Sequence, residues 1–220
     1  VWLPEQLWNA DLIILPGSKN TLADLHWLKS QGLLDAVREC HRKGAVILGV
    51  CGGFQMLRKA IRDPHRTEGS LGEDTGLGLL DLETTMLPEK TTKQASLSTC
   101  DSPIFEKGLN ATGYEIHMGI TKFNAAYPAL FLNGDAKHPL HSGVSSEDGT
   151  VIGTYIHGFL DNDALRRDFL KHIRNQRGLP HPGCHFEYRE FREKQLNRLA
   201  EMIETHIDMK QVNAMIQNAC

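Results

Sequence analysis

The 220-residue sequence lacks long hydrophobic runs and an excess of charge of either sign. Its compact apolar runs at 12–15 and 45–50 are strand-sized, far short of the roughly 18 apolar residues that a membrane-spanning helix needs. Lys and Arg number 24 against 27 Asp and Glu, which disfavours a nucleic-acid or membrane-surface partner. Aromatic residues make up only 7% of the chain, but the hydrophobic content of 40% excludes a disordered chain and is typical of a globular protein.

Cysteine is scarce, and no Cys-x-x-Cys spacing occurs among Cys40, Cys51, Cys100, Cys184 and Cys220. The odd number and the scattered positions exclude a disulfide framework and predict a reducing, cytoplasmic location. The first residues lack the charged and apolar regions of a signal peptide. Since the chain begins with Val1 rather than Met, we expect it to be a piece of a longer protein.

Eleven histidines raise the question of a metal site. The densest group, His181, Cys184 and His185, lies in a stretch that Pro and Gly interrupt, and no second pair of ligands is nearby. Zinc binding here is therefore the less favoured alternative, and we expect a polar surface turn and no metal site.

The order of the patterns predicts an α/β domain. Strands at 12–15 and 45–50 alternate with helices at 21–34 and 33–42, and a third helix is predicted at 54–61. This alternation is typical of a mostly parallel sheet with helices on both faces.

The remaining patterns extend this reading to the end of the chain. Strands are predicted at 79–87, 114–123 and 151–156, with a long polar connection and weak strand signals at 88–109. A helix is predicted at 163–177. A long amphipathic helix follows at 191–215, with a buried stripe of Leu196, Leu199, Ile203 and Ile207.

Cys51 is the strongest candidate for a nucleophile. An apolar strand runs into a predicted helix through Cys51, with Gly49 two residues before it and Gly53 two residues after it. This is the pattern of a nucleophile elbow, with Cys in place of Ser. The start of a helix favours the thiolate, and the amide of Gly52 points to where an oxyanion would form. The alternative is a buried, inert cysteine.

A thiolate nucleophile needs a base, and His157 is the best candidate because it ends a short apolar strand. His117 is the rival; it shares a strand face with Glu115, and we interpret it as a residue that lines the site. Gly17 directly follows the first strand, so its amide is predicted to join that of Gly52 in an oxyanion hole.

Four segments together resemble the class I glutamine amidotransferase domain, most closely its cobyric acid synthase branch. They are 15–21, 49–57, 113–121 and 153–162. The resemblance runs from about Ala10 to Asp208 and implies an α/β, flavodoxin-like fold. By motif, Cys51 is then the nucleophile, His157 the base and Gly17 part of the oxyanion hole. Gln55 faces the bound glutamine, while Glu115 and His117 belong to the substrate site.

Phe159 is a departure from the ordinary pattern of that family. Most class I domains have a Glu two residues after the histidine, and its carboxylate orients the imidazole. The cobyric acid synthase branch is similar to this chain in lacking it. We therefore expect a backbone carbonyl or a water to orient His157, with Glu115 as a guess.

The resemblance implies that the whole of 1–220 is a glutaminase domain that supplies ammonia for the amidation of corrin carboxylates. Its partners are L-glutamine and an ATP-dependent synthetase domain upstream. We expect no cofactor in this chain, and ATP and Mg in the synthetase domain. One alternative is the glutaminase subunit of the lipid II isoglutaminyl synthase; others are a non-catalytic docking module and a cysteine peptidase.

Overall fold

The computed structural model describes residues 1–123, 126–133, 142–181, 183 and 186–218. The chain forms two compact units, Val1–His181 and Pro182–Cys220. Cys184 and His185, the centre of the alternative metal site, lie outside the described residues, as does Cys220.

The first unit holds the elements that carry the candidate site. Its helices are α1 (Thr21–Ser30), α2 (Leu33–Arg42), α3 (Gly52–Met56) and α4 (Asp163–Gln176). Its strands are β1 (Leu12–Leu15), β2 (Val46–Val50), β3 (Arg58–Arg62), β4 (Glu73–Thr75), β5 (Leu80–Thr99), β6 (Asn110–Phe123), β7 (Phe131–Asn133), β8 (Gly143–Ser145), β9 (Val151–Thr154) and β10 (Ile156–His157). The second unit holds α5 (Tyr188–His206) and α6 (Met209–Asn218).

The first sheet has the order β1-β2-β9-β8, and its first three strands are parallel. Side chains alternate between its two faces. Ile47 packs in the cluster that contains the apolar residues of α1 and α2, whereas Val46 and Leu48 pack in the cluster that contains those of α4. Helices therefore cover both faces, and the predicted α/β class is confirmed.

A second sheet, which the sequence did not predict, has the order β10-β6-β5-β3-β4, with β7 beside β5. It is mainly antiparallel, and β5 with β6 forms its long central pair. The sequence predicted only weak strand signals after Leu87, but β5 continues to Thr99. Most residues of 88–94 are exposed, so the apolar alternation is missing there and backbone pairing with β6 maintains the strand.

Two helix predictions are wrong. The helix predicted at 54–61 ends at Met56, and residues from Arg58 onward form β3, because they pair with β4 and β5. The helix predicted at 191–215 is interrupted at Asp208, whose carboxylate accepts hydrogen bonds from amides at the start of α6. The predicted stripe of Leu196, Leu199, Ile203 and Ile207 is also wrong, since α5 has no buried residue.

Phe54 packs against the sheet at a position where two neighbouring strands each have a glycine. Gly49 of β2 and Gly153 of β9 are opposite each other in the parallel register. A Cβ on Gly153 would overlap the ring of Phe54, which is buried. The two glycines thus make room for the first turn of α3 against the sheet.

We therefore expect Gly153→Ala to lower the free energy of unfolding by about 1–3 kcal/mol, the usual cost of overpacking a core. Gly72→Ala is the matched control, because a Cβ at Gly72 meets nothing within 4 Å. Denaturant unfolding of both variants measures the difference. Equal stability of the two variants would contradict this account of the packing.

Candidate active site

Cys51 occupies the sharp turn between β2 and α3. Its φ of 52° and ψ of −110° form a backbone conformation that residues other than glycine rarely adopt. Strained backbone of this kind clusters at functional sites when the surrounding structure enforces it. The sequence predicted a strained strand–turn–helix junction here, and the structure has one.

The glycines around Cys51 are sterically required. A Cβ on Gly49 would lie 2.7 Å from backbone atoms of Gly53 and Phe54, closer than real Cβ atoms come. A Cβ on Gly53 would overlap the carbonyl group of Leu15 at the end of β1. Side chains are excluded from both positions, and α3 can therefore start directly against β1.

Gly17, Cys51 and His157 meet at the carboxyl ends of their strands. A Cβ on Gly17 would lie 3.1 Å from Cε1 of His157, 4.0 Å from its Nε2 and 3.6 Å from Cβ of Cys51. The Nε2 atom of His157 is buried and has no hydrogen-bond partner in the described part of the chain. This nitrogen is available to exchange a proton with a group bound beside Cys51.

The backbone carbonyl of Ile116 links the two candidate catalytic side chains. The Sγ of Cys51 donates a hydrogen bond to it at 3.1 Å, and the backbone of Ile116 also acts on the ring of His157, whose pKa it raises. A carbonyl only accepts, so a ring nitrogen that faces it would carry the hydrogen, and Nε2, which has no partner among the described residues, would then be the basic nitrogen. The sequence analysis expected a backbone carbonyl or a water in the orienting place, with Glu115 as a guess; the Ile116 backbone is beside the ring, and Glu115 is paired with His117 instead.

Burial dominates the electrostatics of this pair. Burial is the largest effect on the pKa of Cys51 and raises it, whereas the backbone of Gly52 lowers it. Among the nearby charges, Glu68 raises this pKa and Lys90 lowers it. Burial lowers the pKa of His157, against the hydrogen bond to Ile116. The sequence predicted that the start of a helix favours the thiolate; the desolvation of the sulfur outweighs that effect. Both shifts favour the uncharged forms, the thiol of Cys51 and the neutral imidazole of His157.

Glu115 and His117 share a face of β6, as predicted, and form a separate pair. The Nε2 of His117 lies 3.2 Å from the Glu115 carboxylate, and Nζ of Lys93 lies 3.1 Å from it. Burial raises the pKa of Glu115, but the hydrogen bonds from His117 and Lys93 outweigh it and lower this pKa overall. The ring of His117 stacks on Tyr155 with centroids 4.1 Å apart. Glu115 therefore orients His117, and the substrate role of both residues stays a prediction.

Gln55 lies in the interior behind Cys51. Its amide nitrogen donates to the carbonyl of Met118 at 3.0 Å, and its amide oxygen accepts from Oγ1 of Thr21 at 3.2 Å. The side chain is only 2% exposed. These contacts connect α3 to α1 and β6, while contact with a bound glutamine stays a prediction.

Both loops of the predicted oxyanion hole lie beside the sulfur. The backbone of Gly52 lowers the pKa of Cys51, which places its amide close to the sulfur. A Cβ on Gly52 would lie 2.9 Å from the amide nitrogen of Ser18, so Gly52 packs against the loop that contains Gly17. The role of the Gly17 and Gly52 amides toward an oxyanion stays a prediction.

Glu68 is a charged neighbour of Cys51 that the sequence analysis missed. Its carboxylate accepts a hydrogen bond from the amide of Thr21 at 2.6 Å. Burial raises the pKa of Glu68, against the hydrogen bonds from Thr21. The buried carboxylate of Asp63 holds the loop by accepting from the amides of Thr67 and Glu68 at 2.9 Å. No local signal in the sequence distinguishes Glu68 from other acidic residues.

The described residues contain no group of three or more His, Cys, Asp or Glu side chains that could hold a metal ion. Within the same part of the chain, the helices are too short or too polar to cross a membrane. An apolar groove of about 560 Å³ runs along β1 to Gly17 and Ser18. It borders the candidate site, but Cys51 and His157 do not line it.

Two of the solved structures that match this chain share its fold. A glutamine amidotransferase crystal structure matches with a TM-score of 0.55 at 18% identity, over 81% of this chain and 85% of that one. The PurLQS structure from Thermotoga maritima matches with a TM-score of 0.50 at 19% identity, over 76% of this chain and 77% of that one. At these identities the likeness shows a common fold.

Curated proteins similar in sequence are cobyric acid synthases. The protein of Dehalococcoides mccartyi is 43% identical over 216 residues, which cover 96% of this chain and 42% of that protein. The protein of Caldanaerobacter subterraneus subsp. tengcongensis is 39% identical over 220 residues, covering 97% of this chain and 43% of that protein. The chain thus spans less than half the length of these relatives.

A family model, that of the CobB/CobQ-like glutamine amidotransferase domain, matches residues 2–165. The matched region contains Cys51 and His157 together with both loops beside them. The chain therefore belongs to the family of CobB/CobQ-like glutamine amidotransferase domains.

Proposed function

We propose that this chain is the glutaminase part of a cobyric acid synthase, which hydrolyses glutamine to glutamate and ammonia at a Cys-His site. The observation that carries the proposal is the meeting of Cys51 and His157 beside Gly17 and the Ile116 carbonyl. Membership of the amidotransferase family supports glutamine as the substrate. The cobyric acid synthases among its relatives support the amidation of corrin carboxylates, in cobalamin biosynthesis, as the use of the ammonia.

The chemistry follows from the neutral resting state of the pair. Nε2 of His157 takes the thiol proton while Sγ of Cys51 attacks the side-chain amide carbon of glutamine. The imidazolium then gives this proton to the leaving nitrogen, the C–N bond breaks, and ammonia departs from a thioester. His157 next deprotonates a water that attacks the thioester, which releases glutamate and restores the thiol.

Each attack places negative charge on the substrate oxygen. In this proposal the amides of Gly17 and Gly52 hold that oxyanion, because both residues lie beside Cys51 on loops that contact each other. The close packing of these loops keeps the donors in place before the substrate arrives, so little reorganisation accompanies the attack.

The ammonia would pass to an ATP-dependent synthetase domain of the longer protein, where ATP and Mg would be used. The reaction at Cys51 and His157 needs only glutamine, water and the groups of this chain. Treating 1–220 as one functional glutaminase domain is part of this proposal.

A glutamine-like diazo-ketone should label Cys51 ahead of the other cysteines, because this sulfur has the His157 imidazole and the proposed substrate site beside it. Cys40 is buried with its sulfur on the Leu7 carbonyl, and Cys100 is the matched control, since burial raises its pKa too. Peptide mass mapping should find the label in Cys100→Ser but not in Cys51→Ala. A label mainly on Cys40 or Cys184 would contradict the assignment.

In a full-length synthase that contains this chain, His157→Ala should abolish glutamine-dependent synthesis but spare synthesis from added ammonia. The expected loss with glutamine is about 10²–10⁴-fold, as for removal of a general base. His26→Ala, an exposed histidine on α1, is the control. If synthesis from ammonia falls as far as synthesis from glutamine, His157 has a structural role instead.

The acid side of the labelling profile should report His157. Since burial lowers its pKa, the imidazole stays neutral below the usual value of 6.5, and labelling of Cys51 should fall only beneath that pH. The same shift means that the folded state loses stability as pH falls below the pKa of an unfolded histidine. Labelling rates against pH, with the His157 ring followed by NMR, measure both. A midpoint at or above 6.5 would be the contrary result.

A further inference from the structure

Arg58 is a fully buried arginine whose hydrogen-bond partners are all hydroxyl groups. It starts β3, and its exposed fraction is 0%. Its guanidinium donates to Thr84 of β5, to Thr121 of β6 at 2.8 Å and to the hydroxyl of Tyr155 at 2.9 Å. In the described part of the chain, no carboxylate is hydrogen-bonded or ion-paired with it.

Two aromatic rings flank this guanidinium. Its Cζ lies 4.2 Å from the centroid of Phe54 and 5.3 Å from that of Tyr155. Phe54 is on α3, three residues after Cys51, and Tyr155 comes two residues before His157. The two rings also contact each other edge to face, with centroids 5.1 Å apart.

The same side chain therefore contacts both segments that carry the candidate catalytic pair. Through Phe54 it contacts the helix that begins beside Cys51, and through Tyr155 it contacts the turn that delivers His157. Stacking of Tyr155 on His117, with centroids 4.1 Å apart, extends the contact to β6.

Burial of this charge is costly in free energy, because the guanidinium loses its hydration and gains no counter-ion from the described residues. Charge-assisted hydrogen bonds and cation–π contacts offset part of that cost. An apolar side chain of similar volume would avoid this cost. It could not, however, donate hydrogen bonds from one rigid, planar group to residues of neighbouring strands while also stacking on α3.

We propose that Arg58 is a positioning residue that holds Cys51 and His157 at reacting distance. The inference rests on the glutaminase function proposed above and adds a residue that contacts neither the substrate nor the reacting atoms. Displacement of reacting groups by about 1 Å can cost about 10²-fold in rate, so loss of this tie should slow the chemistry more than it weakens binding.

The test uses the 220-residue chain and the probe 6-diazo-5-oxo-L-norleucine. Its diazo carbon takes up the thiol proton and loses N2 as the thioether with Cys51 forms, so the reaction depends on how the sulfur and the imidazole are aligned. Iodoacetamide, whose alkylation needs only the thiolate, is the second probe. The variants are Arg58→Met, Arg58→Lys and Tyr155→Phe, and the matched control is Arg62→Met, an exposed arginine on the same strand.

For Arg58→Met we expect the maximal inactivation rate to fall about 10- to 100-fold, with half-saturation and the iodoacetamide rate changed less than about threefold. Arg58→Lys should recover part of the rate, because lysine restores the charge and one donor. Tyr155→Phe keeps both aromatic rings, so its maximal inactivation rate should fall by a smaller factor. The rate of Arg62→Met should equal that of the unsubstituted chain.

The outcomes separate the two proposals. If the unsubstituted Cys51 does not react with the diazo-ketone, the proposed function fails, and this inference fails with it. If the unsubstituted chain reacts, and Arg58→Lys and Tyr155→Phe both react as fast as it does, the inference about Arg58 alone is overturned. These two variants decide the matter even if Arg58→Met does not fold. A loss confined to thermal stability, with unchanged inactivation rates well below unfolding, would also overturn it.

Discussion

The close approach of backbone to backbone at Gly53 is the constraint on which the site depends. The amide of Gly53 donates to the carbonyl of Pro16 at 3.0 Å, and a Cβ there would overlap Leu15. Only a residue without a side chain lets the first turn of α3 touch the end of β1. Because of this contact, Cys51 takes a positive φ and faces Gly17.

The two sheets contribute different halves of the site. The parallel sheet delivers Cys51 and the loop with Gly17 at the carboxyl ends of its strands, where chemistry collects in α/β folds. The second sheet supplies the carbonyl of Ile116, against which the thiol and the imidazole are both held. The chain passes from one sheet to the other between β9 and β10, at Tyr155, so His157 ends a strand of the second sheet beside the cysteine of the first.

Desolvation favours the uncharged form of both candidate catalytic groups. Burial raises the pKa of Cys51 and lowers that of His157. The nearby charges of Glu68 and Lys90 act on Cys51 in opposite directions. In the proposed reaction, charge would develop only during attack, and the amides beside the sulfur would then stabilise the transition state more than the ground state.

The sequence by itself determined the elbow at Cys51, because the need for glycine beside a strained turn is a local steric requirement that short segments express. It also determined the parallel strands, whose buried faces require continuous apolar runs. Only the tertiary structure decided that residues 58–62 form a strand, that Ile116 orients His157, and that Glu68 lies near the sulfur. These three features depend on strand pairing and burial between segments far apart in the chain. The residue type alone does not indicate which distant group will lie beside a given backbone carbonyl or carboxylate.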